Sequence, residues 1–210
     1  MSKINYIFLL GRPGCGKSIV FREVAKMLKE KGYDFDFRKF DDFPFLKEMH
    51  DEDEKNKRYD RFVPTSDGGF KVIDSNVWDE LLKKLNEEIL ENSSDGGLYA
   101  VEFSRPNYVH SLKLFSKEIL ERSIAIYIDA SFECCVKRNE ERTRRAKEEG
   151  IDAHFVSRKE MEETYLKDDR DELKENSPIP VFFVKNDFET TVEEIKEQVK
   201  PIVFEILERK

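Results

Sequence analysis

The chain has 210 residues, enough for one α/β domain of ordinary size. Apolar and charged residues each make up 39% of the sequence, so a lean core beneath a densely charged exterior is expected. The formal net charge of −8 disfavours non-specific binding to nucleic acid, because the chain would repel a polyanion.

No run of residues approaches the roughly 18 consecutive apolar positions of a membrane span. The amino-terminal apolar run leads straight into a glycine loop rather than a cleavage site, which favours a buried strand over a signal peptide. Cys15, Cys134 and Cys135 form neither a disulfide framework nor a zinc-site spacing. We therefore expect a cytoplasmic protein that has no membrane partner.

Five short stretches rich in β-branched or aromatic residues predict strands. They are Asn5 to Leu10, Tyr33 to Phe40, Leu98 to Phe103, Ile124 to Asp129, and Val181 to Val184. Segments with helical spacing of apolar residues lie between them: Ser18 to Lys31, Val77 to Leu90, Pro106 to Glu121, Phe132 to Glu149, and Val192 to Leu207. Strands that alternate with helices predict an α/β fold with a parallel sheet covered on both faces.

The segment from Phe43 to Asp74 fits this alternation poorly. It contains an acidic run and then Gly68-Gly69, which can turn a small hairpin. The segment is either a disordered insertion or a substrate cap. Its aromatic residues favour an ordered cap that buries something; they are Phe43, Phe45, Tyr59, Phe62 and Phe70.

The stretch GRPGCGKS places Gly11, Gly16, Lys17 and Ser18 in the spacing of a phosphate-binding loop. Glycines let backbone N–H groups converge on phosphate oxygens at the positive end of the next helix. Lys17 would reach the β- and γ-phosphates, and Ser18 would bind magnesium. The alternative is a chance match in a strand-to-helix turn. The predicted nucleotide-binding residues here are Gly11, Arg12, Pro13, Gly14, Cys15, Gly16, Lys17, Ser18 and Ile19.

Binding a triphosphate does not decide what becomes of it. A GTPase would carry Asp-x-x-Gly, and no glycine of this chain has an aspartate three residues before it. A motor or transporter ATPase usually has a longer chain. Transfer to a small acceptor is the interpretation that remains, and Cys15 is interpreted as a small filler rather than a nucleophile.

At this point the sequence resembles the nucleoside and nucleotide kinases of the P-loop class. The loop is similar to that of adenylate kinases, and FDDF at the end of the second strand is similar to the Asp-x-Phe element of uridine kinases and phosphoribulokinases. The resemblance implies that Asp41 faces the acceptor hydroxyl and accepts or orients its proton. The alternative is a solvated turn in which Asp42 caps a helix.

The third predicted strand ends in VEFSRPNY. The resembling enzymes have an acidic residue and a nearby arginine here, so Glu102 would hold magnesium through water and Arg105 would bind an anionic substrate. The alternative is a buried pair between Glu102 and Arg105.

Arg138 and Arg142 lie four residues apart on a predicted helix, so both share one face. They are similar to the Arg-x-x-x-Arg of adenylate kinases, which implies that Arg138 covers the base and catalytic Arg142 enters the site from a mobile lid. Arg144, Arg145 and Arg158 are further lid candidates. The alternative is a basic helical face paired with glutamates.

The fifth predicted strand is followed by Asn186 and Asp187, which by the same resemblance line the base pocket. Asp187 or Thr190 is alternatively a helix cap. His50, His110 and His154 have no ligand spacing and are assigned no role.

Together these features predict one P-loop kinase-like domain over residues 1–210, with a five-stranded sheet in the order 2-3-1-4-5. Residues 43–97 would form the substrate cap or insertion, and residues 138–170 would form the lid. The implied activity is transfer of the γ-phosphoryl group of ATP, with Mg²⁺, to a small nucleoside-like or nucleotide-like acceptor. The alternative is a nucleotide-dependent switch or ATPase that acts through a protein partner. An oligomer is allowed.

Overall fold

The structure is a computed structural model that describes residues 3–33, 35–64, 70–149 and 156–209. Its strands are β1 (Tyr6–Leu10), β2 (Phe37–Asp41), β3 (Phe62–Pro64), β4 (Phe70–Val72), β5 (Leu98–Glu102), β6 (Ser123–Asp129) and β7 (Val181–Lys185). Its α-helices are α1 (Lys17–Glu30), α2 (Phe43–Lys55), α3 (Asn76–Asn92), α4 (Tyr108–Leu112), α5 (Lys117–Leu120), α6 (Phe132–Glu149), α7 (Arg158–Glu160), α8 (Arg170–Asn176) and α9 (Val192–Glu208). A π-helical turn, Met161–Tyr165, follows α7.

The main sheet has five parallel strands in the order β2-β5-β1-β6-β7. Counted along the chain within this sheet alone, that order is the predicted 2-3-1-4-5. Strands β2 and β5 lie on one side of the central strand β1, and β6 and β7 lie on the other, so the chain connections lead away from β1 in opposite directions. At such a point a crevice opens at the carboxyl end of the central strand. The glycine loop follows β1 directly and therefore lies in this crevice.

Side chains of the central strand alternate between two cores, as the pleat of a strand requires. Ile7 and Leu9 face a core that is shared with α1 and α9. Tyr6, Phe8 and Leu10 face the other core, which is shared with α3, α4 and α5. Both faces of the sheet are thus covered, and the predicted α/β class is confirmed.

Two predicted elements differ from the structure. The strand expected from Tyr33 begins only at Phe37, because Gly32 turns the chain with φ 74° and the Tyr33 amide closes the end of α1 on the Leu28 carbonyl. The helix expected over 106–121 is two short helices. Ser116 interrupts it in an extended conformation, since its amide donates to the Asn86 side chain at 2.7 Å.

The segment between β2 and β5 consists of α2, the antiparallel pair β3 and β4, and α3. The first part of the acidic run, residues 50–55, lies within α2, a helix that was not predicted from the sequence. Four of its five aromatic residues pack in one apolar cluster around Leu46, Met49, Val77 and Leu81. Tyr59 is instead 60% exposed. The predicted turn at Gly68-Gly69 lies outside the described residues.

No helix in the described part of the chain is both long and apolar enough to cross a membrane.

Candidate functional site

The glycine loop between β1 and α1 is held in a shape that requires glycine. Gly14 and Gly16 have φ angles of 82° and 93°, which side chains with a Cβ rarely adopt. A Cβ on Gly14 would lie 2.3 Å from the Cys135 carbonyl oxygen, and one on Gly16 would lie 2.2 Å from the Asn186 amide nitrogen. The loop therefore packs closely against α6 and the end of β7.

The amino terminus of α1 faces a cavity of about 890 Å³. No side chain caps this terminus and its first turn contains no acidic residue. The first N–H groups of a helix attract anions, and here neither a capping oxygen nor a carboxylate competes for them. Ser18 and Ile19 are exposed and line the cavity beside Pro13, Gly14, Gly16 and Lys17.

Lys17 curls back over the loop rather than extending into solvent, since it is only 7% exposed. Its Nζ donates to the Gly11 carbonyl at 3.0 Å and to Ser104 Oγ at 2.9 Å. Glu102 lies 3.9 Å from the same nitrogen. The ammonium group is thus positioned between the loop and the carboxyl end of β5.

Two side chains stabilise the glycine loop by donating to the same backbone carbonyl, that of Cys15. Asn186 Nδ2 donates to the Cys15 carbonyl at 2.8 Å. Arg138 reaches the same carbonyl at 3.5 Å and the Asn186 carbonyl at 2.8 Å. Cys15 is fully buried, and burial raises the pKa of its thiol, which fits its predicted role as a filler. Gly11, Arg12, Cys15 and Asn186 support the loop but are not among the described residues that line the cavity.

Arg12 points away from the cavity and anchors the segment that follows the π-helical turn. Its Nε donates to the Tyr165 carbonyl at 2.7 Å, and its guanidinium lies 3.5 Å from the Asp168 carboxylate. Asp168 also accepts a hydrogen bond from Tyr127 at 2.6 Å. The next residue, Asp169, accepts from the first amides of α4. The glycine loop and this segment are thus joined directly.

The register of the sheet brings two carboxylates together opposite the loop. Asp41 and Glu102 are paired positions at the carboxyl ends of the neighbouring parallel strands β2 and β5. Lys39 donates to Asp41 at 2.6 Å and to Glu102 at 3.4 Å. Asp41 also accepts the Phe43 amide at 3.1 Å. Both carboxylates line the cavity.

Arg105 forms a buried ion pair, but with Asp42 rather than Glu102. The proposed alternative of a Glu102–Arg105 pair is therefore wrong. Asp42 occupies the N-cap position of α2 without capping it through its side chain, so the capping alternative is also wrong. Burial raises the pKa of Asp42, although the Arg105 guanidinium opposes this. The guanidinium lies 4.5 Å from the centre of the Trp78 ring.

The predicted lid contributes to the cavity through part of its length. Arg138, Arg142 and Arg145 line the cavity from one face of α6. Arg144 instead pairs with Glu148, and Arg158 pairs with Glu133, both on the exposed surface. Residues 150–155 of the predicted lid lie outside the described residues.

Neither Asn186 nor Asp187, the residues predicted to line a base pocket after β7, is among the described residues that line the cavity. Asp187 does not line the cavity; its carboxylate accepts the Ser131 amide and hydroxyl. Helix α9 is capped by Thr191, which forms a capping box with Glu194, so the predicted caps Asp187 and Thr190 are wrong.

The cavity has two sides, which we name by their elements. The loop side comprises the lining residues of the glycine loop, α1 and α6. The cap side comprises the lining residues of the β2 and β5 ends, residues 103–105, α2, β4 and α3, together with Glu160 at the end of α7 and Tyr165 in the π-helical turn. The loop side carries the cations Lys17, Arg138, Arg142 and Arg145, together with the carboxylates Glu141 and Glu149 of α6.

Several residues of the cap side were not predicted as site residues, and Asp42, Trp78 and Tyr165 are examples. The strand-end rule applies to Asp42 as well as to Asp41, so this signal was present. Trp78 is the only tryptophan of the chain, but nothing in its helical spacing distinguishes it from a core residue. Tyr165 lies in a π-helical turn, a structure that often occurs at functional sites and has no clear sequence signal.

The residues present fit a nucleoside triphosphate and a hard cation. The loop offers a glycine cradle and an uncapped helix terminus for phosphate oxygens, and Lys17 and three arginines of α6 add cations on the same side of the cavity. Among the described residues there is no cluster of three or more His, Cys, Asp or Glu that could hold a metal unaided. Mg²⁺ commonly takes only one or two protein oxygens beside phosphate and water, which Ser18 and Glu102 could supply.

No family model matches the sequence, and no curated protein matches it. Solved structures are similar in fold. A gluconokinase from Sinorhizobium meliloti has a TM-score of 0.56 at 16% identity, covering 99% of this chain and 96% of that chain. An APS kinase from Mycobacterium tuberculosis, in complex with AMPPNP and APS, has a TM-score of 0.54 at 15% identity, covering 99% of both chains.

A sugar kinase from Janibacter sp. HTCC2649 has a TM-score of 0.53 at 13% identity, covering 95% of this chain and 98% of that chain. At these identities the likeness concerns the fold. This chain has the three-layer α/β fold of P-loop small-molecule kinases, as the glycine loop and the strand order also indicate.

Proposed function

We propose that this protein is an ATP- and Mg²⁺-dependent phosphotransferase that moves the γ-phosphoryl group to a hydroxyl or phosphate of a small, nucleoside-like or nucleotide-like acceptor. One observation carries the proposal. A single cavity has the phosphate-binding loop on one side and the paired carboxylates Asp41 and Glu102 on the other. A nucleotide on the loop side would therefore direct its last phosphate toward a second molecule on the cap side.

Each loop-side group has a role in this proposal. The backbone of Gly14 to Ser18 and the terminus of α1 would bind the phosphates, and Lys17 would shift from the Gly11 carbonyl to phosphate oxygens. Arg138 would cover the base. Arg142 would stabilise the charge on the group in transfer. When bound, Mg²⁺ supplies charge neutralisation on the phosphates, and Ser18 and Glu102 are the residues that would hold it.

On the cap side, Asp41 would orient the attacking hydroxyl and accept its proton. Its carboxylate is fixed by Lys39 and by the Phe43 amide, so its position does not depend on the acceptor. Arg105 would contact the acceptor. Lid residues that line the cavity would exclude water, so that the phosphoryl group reaches the acceptor rather than solvent.

The test measures binding and transfer separately. Calorimetry with Mg²⁺ and a non-hydrolysable ATP analogue should show binding to the wild type and markedly weaker binding to Lys17→Ala. Lys26→Ala is the matched control, because Lys26 lies exposed on the same helix. Radiolabel transfer from ATP is then measured against nucleosides, nucleotides and sugars. Absence of nucleotide binding in the wild type would overturn the proposal.

A second function is favoured by the contact of Arg12 with Tyr165 and Asp168. Because this contact joins the loop to the end of the lid, nucleotide binding could move a surface that a protein partner recognises. Such a switch would bind ATP and hydrolyse it slowly, and no small acceptor would increase turnover. Label in a small-molecule product would exclude it as the main activity.

A further inference from the structure

The phenol of Tyr165 is a polar group that faces the cavity without a protein partner among the described residues. Tyr165 lines the cap side and is only 7% exposed. No hydrogen bond joins its hydroxyl to another described residue. The oxygen is also not among the unpaired polar atoms that are sealed from solvent, so the cavity gives access to it. Buried tyrosine hydroxyls normally have a partner, which indicates that a ligand supplies it here.

Two nearby tyrosines use their hydroxyl groups within the protein. Tyr127 donates to Asp168 at 2.6 Å, and the Tyr108 oxygen accepts the Gly11 amide at 3.0 Å. Neither of these tyrosines lines the cavity. Packing alone would require only an aromatic ring at position 165. The hydroxyl of Tyr165 therefore has a use that packing does not explain.

Burial keeps this phenol neutral, because it raises the pKa of Tyr165. The charges of Arg105, Glu160 and Asp42 also act on the phenol, so it lies near the buried ion pair. A neutral phenol can donate one hydrogen bond and can also accept. It can therefore bind a hydroxyl, a carbonyl or a ring nitrogen, whatever the net charge of the molecule that carries this group.

The cap side also has an apolar surface on which a small molecule can lie. The apolar lining residues from α2, β4 and α3 are Phe43, Leu46, Phe70, Val72 and Trp78. In pockets of this kind a small number of polar groups fix the orientation of the bound molecule. Tyr165 contributes an aromatic ring and a single hydroxyl, so it is suited to orient an acceptor.

The backbone of Tyr165 is held by the glycine loop. Arg12 Nε donates to the Tyr165 carbonyl at 2.7 Å, and one Nη donates to the Leu166 carbonyl at 3.4 Å. The other Nη donates to the Ala130 carbonyl, just after β6, at 3.3 Å. Because Arg12 lies within the glycine loop, a nucleotide that orders this loop would also fix the position of Tyr165.

We propose that Tyr165 is an acceptor-binding residue. Its phenol donates a hydrogen bond to an oxygen or nitrogen atom of the acceptor, and Arg12 holds it in position through the Tyr165 carbonyl. This inference rests on the proposed kinase function. It adds a binding contact and no chemical step, so the acceptor proton still passes to Asp41. Tyr165 thereby joins acceptor binding to the loop that binds nucleotide.

The test compares Tyr165→Phe with the wild type in the whole chain. The substrate is the compound of the nucleoside, nucleotide and sugar panel that receives label from ATP in the wild type. For that compound kcat/KM should fall by about three- to tenfold, chiefly through a higher KM, because one hydrogen bond is lost. The Kd of the ATP analogue with Mg²⁺ should stay the same. The melting temperature should also stay the same, since the hydroxyl has no partner among the described residues.

Tyr6→Phe is the matched control. Tyr6 is 4% exposed, its hydroxyl shares a hydrogen bond with Ser93 at 2.8 Å, and it does not line the cavity. This variant should lower the melting temperature and leave the acceptor KM unchanged. An unchanged acceptor KM in Tyr165→Phe would overturn the inference and leave the kinase proposal standing. Absence of label in every compound, with nucleotide binding intact, would remove both.

A double-mutant cycle tests the role of Arg12. Arg12→Met should also raise the acceptor KM, because Tyr165 is no longer held. Adding Tyr165→Phe to Arg12→Met should then raise the acceptor KM further by less than about twofold, since residues in contact are coupled. Additive losses would show that Arg12 does not position Tyr165 and would overturn that part of the inference.

Discussion

The two sides of the cavity are stabilised in different ways. The loop side is fixed by contacts to backbone: glycine φ angles, and hydrogen bonds from Asn186 and Arg138 to the Cys15 carbonyl. The cap side is fixed by side chains, chiefly the buried Asp42–Arg105 pair and an aromatic cluster. Backbone geometry suits the phosphates that all triphosphates share. Side-chain geometry can differ from one acceptor to another, so substitutions should separate the two sides.

The largest effect is expected from Lys17→Ala, which removes the central cation of the loop side. Phosphoryl transfer should fall on the order of 1,000-fold, because charge that develops on the transferred group loses a preorganised partner. Single-turnover transfer of labelled phosphate measures this. Comparable activity in Lys17→Ala and Lys26→Ala would show that the loop side has been misassigned.

The next effect concerns stability and belongs to the cap side. Asp42→Ala should lower the free energy of unfolding by about 3 kcal/mol, because Arg105 is left buried without a counter-ion. Urea denaturation measures the change. Asp95→Ala is the control: Asp95 pairs with Arg122, but its side chain is 93% exposed. Equal losses in the two variants would show that the buried pair does not organise the cap side.

Asp41→Asn should separate chemistry from binding. Turnover is expected to fall by about 100-fold, because the amide cannot accept the acceptor proton. Affinity for the ATP analogue should stay unchanged, since Asp41 lies on the cap side. Asp36→Asn, an exposed change before the same strand, provides the comparison. Unchanged turnover in Asp41→Asn would remove this residue from the mechanism.

Arg12→Met tests whether the two sides communicate. Loss of the bond to the Tyr165 carbonyl and of the Asp168 ion pair should destabilise residues 161–168 locally, by about 1–2 kcal/mol. Hydrogen exchange of these amides should accelerate, while exchange in the central strand stays slow. Arg12→Lys should restore part of the protection. Uniform acceleration across the chain would point to global destabilisation instead.

The smallest effect is expected where β4 meets the predicted lid. Lys71 and Glu163 pair at 2.6 Å on the surface, and the hydrogen bond from Lys71 lowers the pKa of Glu163. A lowered folded-state pKa means that this pair stabilises the protein above the ordinary glutamate pKa. The stabilisation is lost as pH falls through the folded value. Lys71→Ala should lower the melting temperature by about 1 °C or less at pH 7, and less at high salt. A large, salt-independent loss would contradict this.

Some features of the fold and of the site could be predicted from the sequence, and others could not. The strand order and the loop could be predicted because a glycine pattern between a strand and a helix has one common physical use. The partner of Arg105 could not, since Asp42 and Glu102 end neighbouring strands and only the register and helix α2 decide between them. The contribution of Tyr165 depends on a π-helical turn far along the chain. Such long-range contacts leave no periodic signal.

The segment between β2 and β5 has a consequence for how acceptor preference could change. It supplies much of the cap side, yet it is continuous in the chain and joins two strands that are adjacent in the sheet. Replacing it would leave the glycine loop and the other strand crossovers intact. The segment between β2 and β5 is thus a replaceable module, and exchanging this one stretch of polypeptide could give a new substrate preference.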